Sequence, residues 1–444
     1  MKKYFGTDGI RGEANSDLTP ELALQLGRAA VRAIGGGRKF VLGRDTRISG
    51  RMLESALTAG LLSEGADVLL LGVLPTPGVA FLTEELGADV GIVISASHNP
   101  FQDNGIKLFG PGGMKLPDDT EKAVEHEFED LEPVSDARPV GTAREVSDAS
   151  RLYVHHLLNC VETDLSGVKI ALDCANGAAY QVAPEAFRRL GAEAQVIGAE
   201  PDGININMKV GSTHPQRLAE MVTGWGADAG FALDGDADRC ICVDETGEVR
   251  DGDFVMAIAA RYLKENELLV PPMVVSTVMS NLGFFKALEE MGIEATSVQV
   301  GDRYVLEEML RSGSLIGGEQ SGHIIFREHT STGDGTLTAM IMAGILKESD
   351  APLSKLSGVM KKYPQVLISV RSRSGRRLEK GMKVWELIGS IEEELGSNGR
   401  VLVRSSGTEP VERVMVEAST ERRARAVADR IAEAISQELD HRVG

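Results

Sequence analysis

Six consecutive residues, Ser95 to Pro100, carry the side chains best suited to chemistry. They read Ser-Ala-Ser-His-Asn-Pro and follow the apolar run Val90–Ile94, which is typical of a buried parallel strand. Open α/β sheets bind ligands at the carboxyl ends of their strands, so we expect a serine of this loop to face a cleft. Such a serine could act as a nucleophile or as a carrier of phosphate, and the loop alone leaves both functions open.

A second loop carries three aspartates at alternate positions: Asp234, Asp236 and Asp238. Carboxylates this close repel one another and raise each other's pKa unless a cation lies between them. Such oxygen ligands suit Mg²⁺, and a phosphorylated Ser97 would supply a further one. An acidic surface turn is the alternative. An EF-hand is a poor match because Arg239 stands at the sixth position, where that loop needs glycine.

Two further glycine-containing loops carry residue types that are suited to bind sugar hydroxyls and phosphate. Three polar side chains alternate along the first of them: Glu319, Ser321 and His323. They suit sugar hydroxyls, and His323 could shuttle a proton or be a hydrogen-bonded structural residue. The second loop, residues 404–408, joins a guanidinium to hydroxyls and a glycine turn, a composition typical of a phosphate site, although a solvated turn would share it. Arg413 on the next strand would add charge.

Basic residues near Ser97 are harder to place from sequence. The segment Tyr4–Gly12 is rich in glycine but matches neither nucleotide-binding glycine motif. Arg11 and Lys107 are candidate partners of Ser97. Arg44 and Arg47, which follow another strand, are alternative partners of Ser97. For any one of these four basic residues, a position on the protein surface is the simpler expectation.

The loops are predicted to be positioned by a repeated β-α-β-α-β arrangement. In each of three segments one polar loop follows the third strand, and those strands are Val90–Ile94, Ala229–Leu233 and Leu315–Ile316. The last segment instead predicts a small α+β domain, with strands near 366–370, 400–404 and 413–418 and helices near 384–395 and 421–439. Proline- and glycine-containing linkers are predicted near 131–148 and 350–363.

We therefore predict four domains. Their ranges are 1–145 with the serine loop, 146–250 with the aspartate loop, 251–362 with the glutamate loop, and 363–444 with the arginine loop. The boundary near residue 250 has little compositional signal.

Composition excludes several classes of protein. The chain has 444 residues and a formal net charge of −19, which disfavours binding to nucleic acid. No apolar run is long enough for a membrane span, and the N-terminus lacks the apolar segment of a signal peptide, so we predict a cytoplasmic protein without membrane contact. Four scattered cysteines lack zinc-ligand spacing and are expected to be reduced and buried.

Taken together, the loops resemble those of the α-D-phosphohexomutase superfamily. Four motifs stand in the family's order along nearly the whole chain: Ser95–Pro100, Asp234–Arg239, Gly317–His323 and Arg404–Pro410. The resemblance implies an α/β protein with three similar α/β/α domains with mixed sheets and a smaller C-terminal α+β domain, around a central cleft. Four features resemble the bacterial members that interconvert glucosamine 6-phosphate and glucosamine 1-phosphate, upstream of UDP-N-acetylglucosamine and the cell wall. They are the opening segment Tyr4–Gly12, the serines at both Ser95 and Ser97, Ala237 and Gln320.

The resemblance also implies roles for individual residues. Ser97 would be the phosphoserine and would complete a Mg²⁺ site with the three aspartates. Residues near the transferring phosphate would be Arg11, His98 and Lys107, with Lys107 or His323 as the base. Contacts to the substrate would come from Glu319, Ser321 and Arg303, and its non-reacting phosphate would meet Arg404, Ser406, Gly407, Thr408 and Arg413.

The same resemblance implies partners and leaves rival functions. The substrate would be a small sugar phosphate, the primer would be glucosamine 1,6-bisphosphate or glucose 1,6-bisphosphate, and the protein would be a homodimer. A phosphomannomutase or phosphoglucomutase would share this chemistry. A metal-dependent sugar phosphatase and a non-catalytic sugar-phosphate sensor are more distant rivals. The arginine loop argues against the phosphatase because that reaction needs no second phosphate site.

Overall fold

The computed structural model describes residues 4–6, 9–34, 39–129, 139–372, 376–405 and 411–440. These residues fall into two compact units. One unit comprises Met1–Met279 and Gly292–Val359, and the other comprises Ser280–Met291 and Met360–Gly444. Among the described helices, none combines the length and the apolar character needed to cross a membrane.

The first repeat is built on a mixed sheet with the strand order β1-β5-β4-β2-β3-β6. Its strands are β1 Ile10–Glu13, β2 Lys39–Arg44, β3 Asp67–Val73, β4 Val90–Ile94, β5 Asp103–Phe109 and β6 Ala143–Glu145. Its helices are α1 Pro20–Ala33, α2 Gly50–Ser63, α3 Thr76–Glu85 and α4 Asp118–Glu129. Strands β2, β3 and β4 are parallel, whereas β5 runs antiparallel to β4. Strand β6 lies within the predicted linker 131–148 and extends the sheet beside β3.

The second repeat has the same plan, with the order β11-β10-β9-β7-β8. Helix α5 (Ala149–Cys160) precedes it, and its elements are β7 Lys169–Asp173, α6 Val182–Arg189, β8 Glu193–Ile197, α7 Gln216–Trp225, β9 Ala229–Leu233, β10 Cys240–Asp244 and β11 Val249–Arg250. All five residues of β9 are buried, as expected for a central parallel strand.

The third repeat has the order β13-β12-β14-β15. Its elements are α8 Gly252–Glu265, β12 Met273–Thr277, α9 Leu282–Glu290, β13 Glu294–Val298, α10 Asp302–Ser312, β14 Ile316–Gly318, β15 Ile324–Phe326, α11 Gly335–Ser349 and α12 Leu353–Leu356. In every repeat the polar loop joins the third parallel strand to an antiparallel neighbour. Each polar loop therefore lies at the carboxyl edge of its own sheet, and the loops of the three repeats can come together there.

The C-terminal unit is a smaller α+β structure. Its strands β16 (Gln365–Arg371), β17 (Gly399–Ser405) and β18 (Val411–Ala418) form an antiparallel sheet in the order β16-β18-β17, and helices α13 (Val384–Leu395) and α14 (Glu421–Asp440) complete it. Helix α9, which lies within the predicted range 251–362, groups with this compact unit. Glu417 on β18 accepts hydrogen bonds from Leu282 N (2.9 Å) and from Asn281 Nδ2 (3.1 Å).

Candidate active site

The serine and aspartate loops are in direct contact. Gly235 lies against the serine loop so closely that an added Cβ would clash with the carbonyl oxygen of Ser97. The carbonyl oxygen of Gly235 in turn accepts a hydrogen bond from Ala178 N at 2.8 Å. Glycine is therefore required at position 235, because any side chain would separate the two loops.

Ser97 is buried and its hydroxyl points at the aspartate loop. Its Oγ donates to Asp234 Oδ2 at 2.6 Å and lies 3.2 Å from His98 Nδ1. Its backbone φ is +52°, in the left-handed region that non-glycine residues seldom adopt. The atom predicted to carry phosphate thus touches a residue predicted to bind metal.

The three aspartates form a compact buried cluster. One oxygen from each lies within 4.8 Å of the other two. Burial raises the pKa of Asp234 well above its usual value, and the charges of Asp238 and Asp236 raise it further. Within the described residues, Asp236 Oδ1 is buried and accepts no hydrogen bond. A hard cation would remove both costs, so the cluster fits a metal site.

Lys107 and Thr76 hold the other face of this cluster. Lys107 Nζ lies 2.8 Å from Asp236 Oδ2 and 3.4 Å from Asp238 Oδ2. Thr76 Oγ donates to Asp236 Oδ2 at 2.7 Å, and its amide donates to the carbonyl oxygen of Asp236 at 2.9 Å. Burial would raise the pKa of Asp238, but Lys107 and His323 outweigh it and hold that pKa well below its usual range. Lys107 therefore acts as a counter-ion to the aspartates.

His323 brings the third loop to the same place. Its Nδ1 lies 3.7 Å from Asp238 Oδ1, and its Nε2 accepts a hydrogen bond from Gly333 N at 3.0 Å. Burial lowers the pKa of His323, but the carboxylates of Asp238, Asp302 and Glu319 outweigh it and raise the pKa to about 9. The carboxylates favour the imidazolium, whereas the hydrogen bond from Gly333 needs an unprotonated Nε2 and favours a ring with its proton on Nδ1, facing Asp238. A second proton, on Nε2, would break that hydrogen bond and face Asp302 Oδ2 at 3.6 Å.

His98 and Arg11 lie on the first repeat beside Ser97. Burial lowers the pKa of His98 to about 4, and the positive charges of Arg239 and Arg11 contribute to this shift. Arg11 stands on β1 opposite Gly105 of β5, two residues from Lys107. These predicted site residues therefore do come together around the serine loop.

Glu319 and Ser321 lie side by side on the third loop. Ser321 Oγ donates to Glu319 Oε2 at 3.3 Å, and Gly301 N donates to Glu319 Oε1 at 2.9 Å. The intervening Gln320 points elsewhere, because its Nε2 donates to Asp253 Oδ2 at 3.0 Å. The two side chains predicted to bind sugar hydroxyls thus form one polar pair.

Arg303 is not brought to the serine and aspartate loops by its contacts. Its guanidinium binds the carboxylates of Asp118 and Glu121 and donates to the carbonyl oxygen of Leu116. Arg404 and Arg413 belong to the C-terminal unit, where they are direct cross-strand partners on β17 and β18. The predicted phosphate-binding residues Ser406, Gly407 and Thr408 lie outside the described residues.

Sequence reasoning missed Thr76 and Asn207, and its simpler expectation of a surface position was wrong for Arg44 and Arg47, which are both buried. Arg47 contacts the backbone of the serine loop and not the Ser97 hydroxyl, whereas Arg44 pairs with Glu54 at 3.3 Å. Asn207 reaches the serine loop from the second repeat. The position of Arg47 just after a strand could have indicated that it lies near the serine loop. No local sequence pattern indicates the same for Asn207.

Four family models together match most of the chain. Models of the phosphoglucomutase/phosphomannomutase α/β/α domains I, II and III match residues 2–134, 151–247 and 251–363, and the model of the C-terminal domain matches residues 359–434. Phosphoglucosamine mutases of Geobacillus thermodenitrificans and Brevibacillus brevis are each 52% identical, over 99% of this chain and 99% and 100% of theirs.

Solved structures share the fold. A phosphoglucomutase/phosphomannomutase family protein from Burkholderia thailandensis has a TM-score of 0.81 at 25% identity, covering 98% of both chains. N-acetylphosphoglucosamine mutase of Aspergillus fumigatus has a TM-score of 0.69 at 16% identity, covering 98% of this chain and 96% of its own.

The fold and the serine–aspartate site define a phosphohexomutase, which is an isomerase. The chain belongs to the α-D-phosphohexomutase superfamily and, within it, to the bacterial phosphoglucosamine mutase family. The predicted superfamily and fold class are confirmed.

Proposed function

We propose that the enzyme interconverts glucosamine 6-phosphate and glucosamine 1-phosphate through a phosphorylated Ser97 and a bisphosphorylated sugar. The observation that carries this proposal is the 2.6 Å hydrogen bond from Ser97 Oγ to Asp234, inside a buried triad of aspartates. The phosphoglucosamine mutases that match the chain over its full length support the choice of substrate. Phosphoserine would give its phosphoryl group to one end of the sugar and recover the phosphate from the other end.

The metal is proposed to be Mg²⁺, held by one oxygen each from Asp234, Asp236 and Asp238 and by the phosphate on Ser97. All of these ligands are hard oxygens, which is the donor set that Mg²⁺ prefers. When bound, Mg²⁺ would neutralise charge on the transferring phosphoryl oxygens.

The chain's own residues would position the phosphate and the sugar. We assign Arg11 and Lys107 to the charge around the transferring phosphate, Lys107 acting from its place between two aspartates. His98 is the acid–base candidate nearest the reacting oxygen, 3.2 Å from Ser97 Oγ. His323, whose Nε2 is taken by the Gly333 amide, would orient Asp238. Glu319 and Ser321 would bind sugar hydroxyls.

The C-terminal unit would bind the phosphate that is not reacting. Arg404 and Arg413 are direct partners across β17 and β18, which places two guanidinium groups where one phosphate could meet both. This pairing supports an anion site for the two arginines. The assignment of Ser406, Gly407 and Thr408 to the same site is retained from the sequence.

Ser97→Ala tests the proposal most directly. The variant and the wild type are assayed with glucosamine 6-phosphate and a catalytic amount of glucosamine 1,6-bisphosphate or glucose 1,6-bisphosphate, following both isomer formation and phosphate release. We expect the wild type to form isomer and to carry about 80 Da on the Ser97 peptide, and the variant to do neither. Ser55→Ala, on α2, is the matched control and should behave as the wild type. Isomer formation by Ser97→Ala would contradict the phosphoserine role.

The substrate is tested by comparing kcat/KM for glucosamine, glucose and mannose 6-phosphates. A preference for mannose or glucose 6-phosphate would instead favour a phosphomannomutase or phosphoglucomutase. The four domain ranges, the bisphosphate primer, the homodimer and the cytoplasmic location remain predictions from sequence.

A further inference from the structure

Arg47 is a fully buried arginine at the carboxyl end of β2. Its side chain has no exposed surface, and its Nε donates to Asp45 Oδ2 at 2.8 Å. The remaining donors of the guanidinium all go to main-chain carbonyl oxygens of the serine loop and the start of β5: Ser97, Asn99, Pro100 and Asp103. One rigid planar group therefore fixes the path of the loop on both sides of Ser97.

Asn207 binds two of the same carbonyl oxygens from the second repeat. Its Nδ2 donates to the carbonyl oxygens of Ser97 at 2.9 Å and Asn99 at 3.0 Å. Arg47 Nη2 reaches those two oxygens at 2.9 and 2.8 Å. Asn207 has a φ of +59°, a conformation that asparagine tolerates better than most residues. Arg47 of the first repeat and Asn207 of the second repeat therefore bind the same two carbonyl oxygens of the serine loop.

Ser95 connects the hydrogen bonds of Arg47 to the amide of Ser97. Its hydroxyl donates to Asp45 Oδ2 at 2.6 Å and accepts from Ser97 N at 3.0 Å. Asp45 Oδ2 also accepts from Arg47, so one carboxylate orients both the guanidinium and the hydroxyl. The amide and the carbonyl group of Ser97 are both held, which maintains its unfavourable positive φ and aims Oγ at Asp234.

We propose that Arg47 and Asn207 are positioning residues that keep Ser97 Oγ in one place through both phosphoryl transfers. Neither side chain bonds to Oγ, so both act through the main chain. The inference rests on the proposed function, in which one oxygen must release a phosphoryl group and later recover another. A loop that drifted by about 1 Å between those steps would lose about two orders of magnitude in rate.

The test uses Arg47→Lys and Asn207→Gly in the full-length enzyme with Mg²⁺ and a bisphosphate primer. Lysine keeps the positive charge but cannot reach the four carbonyl oxygens, and glycine keeps the positive φ while removing both side-chain donors. We expect each variant to lose about 100-fold in kcat with KM within about three-fold of the wild type. Because both residues act on the same carbonyl oxygens, the double variant should lose far less than the product of the single losses.

Arg28→Gln is the matched control, because it breaks a largely buried arginine pair with Glu64 (2.9 Å) between α1 and the end of α2 in the same repeat. It should lower the melting temperature and leave kcat unchanged. Circular dichroism checks that every variant is folded, and if Arg47→Lys does not fold, Asn207→Gly decides alone.

Folded variants that keep kcat within two-fold, a change in KM alone, or an equal loss in Arg28→Gln would each overturn the inference. So would a double variant whose loss equals the product of the single losses. Failure of the proposed function is a separate result, because the wild type itself would then not convert glucosamine 6-phosphate.

Discussion

Asp234→Asn should stabilise the metal-free enzyme and abolish its stabilisation by Mg²⁺. The substitution keeps the shape of the site, since the remaining oxygen can still accept from Arg239 N, now 3.2 Å from Asp234 Oδ1. The new amide can donate to Ser97 Oγ, where the carboxylate accepts. Asp234 is the suitable position because burial, followed by the charges of Asp238 and Asp236, raises its pKa.

The size of the effect follows from the spacing of the carboxylates. Two unit charges at the 4.8 Å upper limit of these separations repel by about 3.5 kcal/mol at an effective dielectric constant of about 20. Lys107 and Arg239 offset part of this repulsion. The free-energy cost of keeping Asp234 charged in the folded protein also has an upper limit. It cannot exceed the cost of protonating an ordinary aspartate at pH 7, which is about 4 kcal/mol. We therefore expect the metal-free variant to gain about 1 to 4 kcal/mol in free energy of unfolding.

Thermal unfolding with EDTA and with Mg²⁺ measures both parts of the prediction. For a folding unit of a few hundred residues, 1 kcal/mol corresponds to roughly 1–2 °C in melting temperature. Mg²⁺ at 100 times its Kd should add about 2.7 kcal/mol to the wild type and almost nothing to the variant. Asp244→Asn is the control, because Asp244 is equally buried but is paired with Arg250 at 2.7 Å. It should lose stability to the same extent with and without Mg²⁺.

The reasoning would be refuted by an Asp234→Asn variant that is less stable than the wild type in EDTA. Equal stabilisation of both proteins by Mg²⁺ would refute the assignment of the metal site. The two outcomes are independent, since the first concerns repulsion among the carboxylates and the second concerns binding of the cation.

Thr76→Val removes the hydroxyl that supports the aspartate loop, so half-maximal activation should need about ten-fold more Mg²⁺; Thr83→Val, whose hydroxyl bonds only within α3, should leave the activation curve unchanged. Burial raises the pKa of Asp334 to about 6, so its ionisation opposes folding as the pH rises from about 4 to 6. Over that interval the free energy of unfolding of the wild type should fall by about 3 kcal/mol relative to that of Asp334→Asn. The difference in melting temperature between the two proteins should therefore change with pH, and a constant difference would contradict the raised pKa. Glu417→Gln weakens a buried pair with Arg400 at 3.1 Å and should lower the stability of the C-terminal unit by about 2 kcal/mol in calorimetry, with no change counting against a structural role for the pair.

Much of the fold could be predicted from the sequence because its signals are local. The apolar runs at Val90–Ile94 and Ala229–Leu233 are β4 and β9 with the same bounds in the structure. The hairpin partners that follow them are also present. The predictions missed two strands, β1 and β6, and six helices: α1, α4, α5, α8, α11 and α12. Strand β6 is short and exposed and has no apolar alternation, so no periodicity marks it.

The residue types of the loops also allowed their chemistry to be predicted from the sequence. The three aspartates stand at alternate positions of one loop, and this spacing alone places their carboxylates close together, whereas Ser97 lies 137 positions from Asp234 in the chain. The sequence by itself therefore determined the repeated α/β plan and, through the family that its motifs resemble, the class of reaction. It also supplied three carboxylates whose buried cluster fits a metal. It could not rank one basic residue against another, because a cation near a strand end has no local signature of its partner.

Only the tertiary structure decided which partners those cations and amides have. Arg44 and Arg47 are three residues apart, yet one pairs with Glu54 and the other holds the serine loop. Thr76 meets Asp236 across 160 positions, and Asn207 meets Ser97 across 110. Such contacts arise from the packing of one repeat against another, and periodicity within a segment carries no information about them. The sequence thus supplied the reacting groups, and the packing of the repeats fixed their geometry.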